Sequence, residues 1–272
     1  MYEGYWQLHT RPFGNSADPK FYYPSEVHQG ALLKLRYAVE SRLGAALLAG
    51  APGLGKTLLA HVLKRQLPET VSPVVHLVFP QMSPRELVVF IAGELDGQPA
   101  SSSSTADTAV RRLQQFLSEN TSRNRHALLI VDEAHLLIDS ELVDTLRLLM
   151  NFESAQGPHL SLLLVGEPAL LPVLDEMPGV EERLGVKCLL RPLSLEETVS
   201  YVAHRLTAAG ATRELFTPEA LAALHELTLG NPRRINRLCD LALLIGFAEE
   251  HETIGAPQIE AVCSELVSIA PE

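Results

Sequence analysis

The chain has 272 residues, 46% of them hydrophobic, and a formal net charge of −11 at pH 7. That much apolar sequence is enough for one large core or two moderate ones, which excludes general disorder. The sequence has no run of about 18 apolar residues and no basic start followed by an apolar segment. We therefore expect a cytoplasmic protein with no membrane segment in this chain.

Short apolar runs alternate with segments of helical period over the first 192 residues. The runs are bounded by Gly, Pro or charged residues, which is typical of buried strands. The predicted strands are Ala45–Ala49, Val74–Phe79, Ala127–Val131, Leu160–Val165 and Val186–Leu190. Apolar residues recur at helical spacing around 58–63, 110–117 and 142–149. Strands joined by crossover helices predict a mostly parallel sheet with both faces covered.

Beyond residue 192 the strand pattern ends and only helical patterns follow. Helix starts and ends are indicated there by Thr217, Pro218, Gly230, Asn231 and Pro232. We therefore predict an α/β domain with a parallel-sheet αβα core over residues 1–192 and a smaller all-helical domain over residues 193–272. The run Ser101–Ser104 predicts a short flexible joint inside the first domain.

The loop after the first predicted strand reads GAPGLGKT and matches the phosphate-loop pattern G-x-x-x-x-G-K-[ST] completely. A strand precedes it and a helix follows, which separates a phosphate loop from a chance match. Glycines let backbone N–H groups turn inward, Lys56 offers a charge to the β- and γ-phosphates, and Thr57 offers a hydroxyl to Mg²⁺. The residues predicted to bind ATP here are Gly50, Ala51, Pro52, Gly53, Leu54, Gly55, Lys56, Thr57 and Leu58.

An acidic motif follows the third predicted strand, in the segment ALLIVDEAH. Asp132 ends an apolar strand, where a carboxylate can hold the shell of Mg²⁺, so Thr57 and Asp132 are the predicted metal ligands. Glu133 is the predicted catalytic base for the attacking water. The letters DEAH also spell a helicase box, but the roughly 140 residues that remain are too few for a second motor core. We therefore interpret His135 as a local packing or hydrogen-bonding residue.

Two arginines occupy the first turn of the helix predicted to begin at Asn231. Cations at this end oppose the helix dipole and cost a few tenths to about 1 kcal/mol each. A local rule broken beside a suspected site indicates an anionic ligand that offsets the cost. We predict that Arg233 reaches the γ-phosphate, with pairing of Arg233 and Arg234 to surface carboxylates as the alternative.

These motifs, in this order, resemble the AAA+ ATPases and, more narrowly, the general secretion pathway protein A (ExeA-type) family. The resemblance covers essentially the whole chain and rests on MYEGYWQL, GAPGLGKT, LLIVDEAHLL, LLLVGEPAL, RPLSLEET and GNPRRINRLCD. It implies a P-loop NTPase (AAA+) core with a helical lid domain, ATP and Mg²⁺ as cofactors, and a homo-oligomer with shared sites. Longer members of the family look like membrane proteins, which implies an anchor or a membrane-bound secretion-system partner outside this chain.

The resemblance also implies roles for individual residues. Arg233 stands where the family has its sensor-2 arginine, and Arg183 stands where an arginine finger serves a neighbouring subunit. A surface arginine beside Glu181 and Glu182 is the alternative for Arg183. Glu167 replaces the usual glutamine, and a carboxylate near a triphosphate is repelled unless it is protonated or bound to metal. Glu167 therefore either points elsewhere or alters hydrolysis.

Eight of the fifteen aromatic residues lie within the first 37 positions. Such a segment can wrap the sheet edge and face the adenine, as in similar proteins. An aromatic cluster is more often a packing feature alone. We therefore assign no adenine contact.

We expect an Mg²⁺-dependent ATPase that drives assembly or operation of a type II (general secretion pathway) envelope machinery. An ATP-controlled DNA-binding switch of the transposition-regulator or initiator class is the alternative, because such proteins have similar cores and RRINR supplies a basic cluster. Residues 193–272 carry five arginines, no lysine and twelve carboxylates, which argues against broad capture of nucleic acid. A scaffold that holds nucleotide without hydrolysing it is the third hypothesis.

Overall fold

A computed structural model describes residues 1–14, 18–98, 105–137, 141–155 and 157–268. The chain forms two compact units. The sheet unit comprises Val27–Ala51 and Leu59–Leu190, and the helical unit comprises Met1–Glu26, Pro52–Leu58 and Arg191–Glu272. The predicted joint Ser101–Ser104 lies outside the described residues.

The sheet unit is built on a five-stranded sheet and a short hairpin. The strands are β1 (Ala45–Ala49), β2 (Val71–Leu77), β3 (His126–Val131), β4 (Glu153–Ser154), β5 (Gly157–Pro158), β6 (Leu160–Gly166) and β7 (Leu184–Leu189). The large sheet is parallel throughout, in the order β2-β3-β6-β1-β7, while β4 and β5 pair antiparallel. The predicted parallel sheet is confirmed. The bounds of β1 are those predicted, and the other four strands differ by one to three residues at an end.

Helices connect the parallel strands, as crossover connections require. The helices that precede or follow these strands are α1 (Glu26–Glu40), α2 (Lys56–Gln66), α3 (Pro84–Asp96), α4 (Ala106–Ser122), α5 (Leu142–Leu149), α6 (Leu170–Asp175) and α7 (Pro178–Glu181). Four more follow in the helical unit: α8 (Leu195–Ala208), α9 (Pro218–Thr228), α10 (Pro232–Ala248) and α11 (Ala256–Ser268). None of the described helices is both long and apolar enough to span a bilayer.

The three inner strands of the large sheet, β3, β6 and β1, are buried on both faces. On one face Leu47 belongs to a core that α3, α4, α5 and α6 complete. Leu48 points to the other face and is also fully buried. Cys188 of β7 pairs in register with Leu48 and donates its thiol to the carbonyl of Ala31 on α1, at 3.9 Å. The predicted coverage of both faces follows from this alternation.

The helix boundaries predicted beyond residue 192 are confirmed. Thr217 caps α9 by accepting a hydrogen bond from the backbone N–H of Ala220, and α9 ends where Leu229 and Gly230 adopt left-handed backbone conformations. Asn231 then caps α10. The described part of this region contains helices and a single bridge between Phe216 and Ile254, without a longer strand.

The aromatic N-terminal segment lies in the core of the helical unit. Tyr2, Trp6 and Phe13 are buried among side chains of α8 to α11, and the Trp6 indole donates to the carbonyl of Leu243 at 2.9 Å. The division of the chain therefore differs from the predicted one, which grouped the first residues with the sheet. The physical reason is that these rings complete an apolar core that the helices share.

Candidate nucleotide-binding site

The predicted phosphate loop joins β1 to α2. Gly53 and Gly55 adopt left-handed backbone conformations, with φ of +85° and +86°, which residues with a Cβ rarely adopt. Leu54 and Lys56 between and after them are buried. The motif therefore folds as a tight turn whose glycines are required by the backbone.

Helix α2 begins at Lys56, directly at the end of this loop. The first N–H groups of a helix have no intrahelical partner and carry the positive end of its dipole. The first turn of α2 contains no acidic residue that would compensate that charge. Such an end, beside a buried lysine, is suited to an anion such as phosphate.

Within the helical unit, the loop is bonded to the start of α10. The side-chain amide of Asn231 donates to the carbonyl of Pro52 at 2.8 Å. Its oxygen accepts from the backbone N–H groups of Arg233 and Arg234, at 3.1 and 3.3 Å. The N–H of Arg233 also lies 3.3 Å from the carbonyl of Gly53. Asn231 thus caps the helix and ties it to the loop at the same time.

Gly53 is required by this contact as well as by its backbone conformation. A Cβ at Gly53 would lie 2.6 Å from Oδ1 of Asn231 and 2.8 Å from Cβ of Arg233. Arg233 itself is exposed. The backbone and Cβ of Arg233, the predicted sensor arginine, therefore lie against the phosphate loop, while its side chain extends from there into solvent.

In the sheet unit, the predicted metal ligand Asp132 lies at the end of β3. Its side chain is only 2% exposed, and its Oδ1 accepts from the backbone N–H of Glu133 at 2.9 Å. Its Oδ2 lies 3.5 Å from Nε2 of His76 on the neighbouring strand. The edge of the His61 ring packs on His76, with centroids 5.4 Å apart. The carboxylate therefore lies buried beside His76 of β2 and accepts a hydrogen bond from the residue that follows it.

The predicted base Glu133 follows in a left-handed backbone conformation, with φ of +51°. This conformation is uncommon for a residue with a side chain. The side chain is 48% exposed. A short 3₁₀ helix, Ala134–Leu137, begins directly after it. The turn thus redirects the chain so that Glu133 reaches solvent while Asp132 stays buried.

His135 lies between two carboxylates. Its Nδ1 is 3.5 Å from Oε2 of Glu133, and its Nε2 is 3.6 Å from Oε1 of Glu167. Glu167 follows Gly166, the last residue of β6. The structure therefore places Glu167 at this edge of the sheet, beside the residues that follow β3.

The start of the phosphate loop lies at the same edge of the sheet. The N–H of Gly50 donates to the carbonyl of Gly166 at 3.1 Å. Strand β6 separates β1 from β3, so Gly50 and Asp132 follow strands about 10 Å apart. Carboxyl ends of parallel strands that meet at one edge are the usual place for ligands in open α/β sheets.

Arg183 lies at the opposite edge. Its carbonyl accepts from the N–H of Ala45, the first residue of β1, at 2.9 Å. Gly50 stands at the other end of that strand, about 16 Å away at the usual rise per residue. Arg183 is therefore remote from the carboxyl edge of its own sheet.

The structure thus groups the predicted residues in three places. Gly50, Ala51, Asp132 and Glu133 share the carboxyl edge of the sheet unit, and Arg183 lies apart. Pro52–Leu58 belong with Arg233 to the helical unit, where Gly53 contacts Arg233. Sequence reasoning missed the contacts of His76 and Asn231. For Asn231 the sequence does contain a signal. An asparagine cap still has its amide N–H groups to donate after its oxygen has capped the helix, whereas an aspartate cap has no donor and a serine cap has only its hydroxyl.

Comparisons with known proteins identify the family and support the fold. The family profile described as "AAA domain" matches residues 39–174, which is half of the chain. General secretion pathway protein A from Aeromonas hydrophila is 33% identical over the whole chain. The chain spans 50% of the length of that relative.

Solved structures of low sequence identity share the fold. The Aeropyrum pernix ORC1 protein in complex with DNA is similar with a TM-score of 0.69 at 18% identity, over 96% of this chain and 69% of that one. The Aeropyrum pernix ORC2 protein in its ADPNP–ADP complexes has a TM-score of 0.68 at 18% identity, over 94% and 71%. From the profile match and the parallel sheet with its phosphate loop, we conclude that this chain belongs to the AAA domain family of ATPases.

Proposed function

We propose that this chain is an Mg²⁺-dependent ATPase that drives assembly or operation of a general secretion pathway (type II) envelope machinery. The observation that carries the enzymatic part is the complete phosphate loop after β1, with Asp132 and Glu133 after the parallel strand β3. The machinery is proposed from the similarity to general secretion pathway protein A. A membrane-bound partner protein and a cytoplasmic location belong to the same proposal.

In this proposal the loop holds the phosphates of ATP. Backbone N–H groups from Gly50 to Leu58 and the start of α2 donate to phosphate oxygens, and Lys56 neutralises charge on the β- and γ-phosphates. Arg233 binds the γ-phosphate, and the negative charge of the phosphate offsets the cost of placing arginines in the first turn of α10. The bond between Asn231 and Pro52 supports this role, because it keeps the first turn of α10 beside the loop.

A magnesium ion belongs to the same proposal. Thr57 and Asp132 offer a hydroxyl and a buried carboxylate, which are the hard oxygen ligands that Mg²⁺ prefers alongside phosphate and water. When bound, Mg²⁺ neutralises charge that develops on the phosphates. Glu133 accepts the proton of the attacking water. Its carboxylate is exposed and can contact water, unlike the buried carboxylate of Asp132.

We further propose a homo-oligomer in which Arg183 serves the nucleotide of a neighbouring subunit. Its place at the amino edge of the sheet supports a role outside its own site. A guanidinium supplied by another subunit stabilises charge in the transition state of phosphoryl transfer.

Two substitutions test the enzymatic proposal. Lys56→Ala should weaken equilibrium binding of ATP at least about 30-fold, because it removes a buried charge partner of the phosphates. Glu133→Gln should bind ATP normally but release phosphate about 100-fold or more slowly, because the base is lost. Lys64→Ala, at the exposed end of the same helix α2, is the matched control. Turnover by Glu133→Gln at the wild-type rate would rule out the assigned base.

The DNA-binding switch is the second candidate, and the exposed arginines of α10 favour it. Arg234 and Arg237 are exposed three residues apart on one helix. If they bind DNA, ATP-dependent affinity for a labelled duplex should fall steeply with salt, and Arg237→Glu should abolish it without changing hydrolysis. Absence of binding at low salt would dismiss this candidate. A chain that binds ATP but shows no single-turnover hydrolysis would instead be a nucleotide-holding scaffold.

A further inference from the structure

The pair of carboxylates around His135 is not explained by the roles assigned so far. Glu133 and Glu167 come from different segments of the chain, after β3 and after β6, and each lies within 3.6 Å of a different nitrogen of one imidazole. The His135 side chain is 20% exposed, while both glutamates are more exposed. The imidazole is thus the inner member of this group.

Local backbone geometry places His135 at this position. The left-handed Glu133 starts the 3₁₀ helix, which the hydrogen bond from the N–H of Leu136 to the carbonyl of Glu133 closes at 2.9 Å. The turn lies against the end of β6, because a Cβ at Gly166 would be 3.1 Å from the backbone nitrogen of His135. A glycine at the end of β6 therefore permits the close approach that sets Glu167 beside His135.

Both carboxylates need such a neighbour near a triphosphate. A second negative group at the site of hydrolysis raises the cost of placing the γ-phosphate there, whereas an imidazole N–H or an imidazolium lowers it. A general base, in turn, needs a fixed direction, because a misplacement of about 1 Å can cost about 100-fold in rate. A neutral imidazole donates from one nitrogen only, whereas an imidazolium has an N–H on each side and can donate to both glutamates at once.

We propose that His135 is a positioning residue that holds the carboxylate of Glu133 in place and offsets the charge of Glu167. This inference rests on the proposed hydrolysis of ATP by Glu133. It gives His135 a role in the chemical step and accounts for a glutamate at a position where a carboxylate alone would oppose the γ-phosphate.

The test measures kcat in steady state and the Kd of a fluorescent ATP analogue at equilibrium. We expect His135→Ala to lower kcat about 10- to 100-fold, as for other residues that orient a catalytic group, with Kd within about twofold of wild type. His135→Gln should recover part of the loss, because an amide can still donate to one carboxylate. In the chain that also carries Glu167→Gln, the loss caused by His135→Ala should shrink by about threefold or more.

His159→Gln is the matched control, since His159 is a half-buried histidine of the same unit that bonds to Thr121 at 2.8 Å away from this group. Far-UV circular dichroism and the Tm confirm that each variant is folded. An unchanged kcat, an equal fall in kcat and ATP binding, or the same loss with and without Glu167→Gln would overturn the inference. Absence of turnover in the wild-type chain would instead reject the proposed function, so the two failures are distinct.

Discussion

A buried histidine at the amino edge of the sheet shows how single residues set the response of the protein to pH. His126 is 2% exposed, and its Nε2 contacts the hydroxyl of Ser161 at 2.8 Å. That hydroxyl donates to the carbonyl of Leu43 at 2.6 Å, so the imidazole N–H must be the donor to it. Burial, with the charge of Arg42 and the neighbouring His159, lowers the pKa of His126 to about 4.

This lowered pKa predicts a loss of stability in mild acid. The unfolded chain binds a proton at its ordinary pKa near 6.5 while the folded chain does not, so stability is complete above that pH and falls as pH drops toward the folded pKa. Between pH 7.5 and 5.5 His126 should account for about 1.3 kcal/mol of the free energy of unfolding. Denaturant titrations of wild type and His126→Gln at both pH values measure it. Equal pH dependence in the two proteins would contradict the prediction.

At the same scale, the sequence predicted the residues that stand in contiguous motifs and not those that meet through the fold. Lys56, Asp132 and Glu133 are recognisable because a phosphate loop and an acidic strand end each lie within a few positions. His76 reaches Asp132 from another strand, and His135 reaches Glu167 at the end of the neighbouring strand β6. No spacing along the chain encodes such contacts, because they depend on strand order and register.

At the scale of elements, α10 shows why a helix cap is more than an end signal. Asn231→Asp should preserve the cap, since aspartate also accepts from the first-turn N–H groups. Its second carboxylate oxygen, however, should be repelled by the carbonyl oxygen of Pro52, which accepts a hydrogen bond from Asn231 in the wild type. We expect ATP affinity to fall about tenfold with little change in Tm, because a donor is lost and a charge of the wrong sign is added. Titration with a fluorescent ATP analogue measures the affinity.

Asn231→Ser is the companion variant for this prediction. It keeps a neutral cap without the longer amide donor, and we expect a smaller loss of affinity, about threefold. Wild-type affinity in Asn231→Asp would show that the bond to Pro52 has no part in nucleotide binding.

Other elements differed in how well the sequence predicted them. Buried strands of the parallel sheet are continuous apolar runs, and β1 was predicted to the residue. The hairpin of β4 and β5 has two residues in each strand, too few for a periodic pattern. Helix α3 carries a serine cap with Glu86 three residues later, a capping box that would have predicted its start at Pro84.

At the scale of the whole molecule, Arg205 fastens the N-terminal segment to the helices. Its guanidinium donates to the carbonyls of Pro12 and Gly14 at 2.7 and 2.9 Å, lies 4.6 Å from the Phe21 ring and is 3% exposed. Arg205→Met should cost about 3 kcal/mol, because buried acceptors lose a charged donor. Denaturant unfolding measures the loss.

A substitution of a surface arginine is the control, because it separates the loss of these buried bonds from a general effect of removing an arginine. Arg111→Ala breaks only an exposed pair with Asp107 at 3.1 Å and should change stability by less than about 0.5 kcal/mol. Similar values for Arg205→Met and Arg111→Ala would show that the N-terminal segment needs no such fastening.

Shared sites between subunits give the last prediction. If Arg183 acts on a neighbour, ATP turnover should rise steeply with protein concentration, and both Arg183→Ala and Lys56→Ala should lose it. A mixture of the two variants should regain part of the activity, because a subunit with an intact loop then meets a neighbour with an intact arginine. Arg125→Ala, at the same edge of the sheet, is the control. A mixture that stays inactive would place Arg183 outside the reaction.

The bond between Asn231 and Pro52 has one more consequence. The same side chain holds the carbonyl of Pro52 at one end and the amides of Arg233 and Arg234 at the other. We expect phosphate that fills the loop to shift the Pro52 peptide and, with it, the protection of those two amides. Hydrogen–deuterium exchange at the first turn of α10 should therefore report whether the phosphate loop is occupied, without a fluorescent ATP analogue.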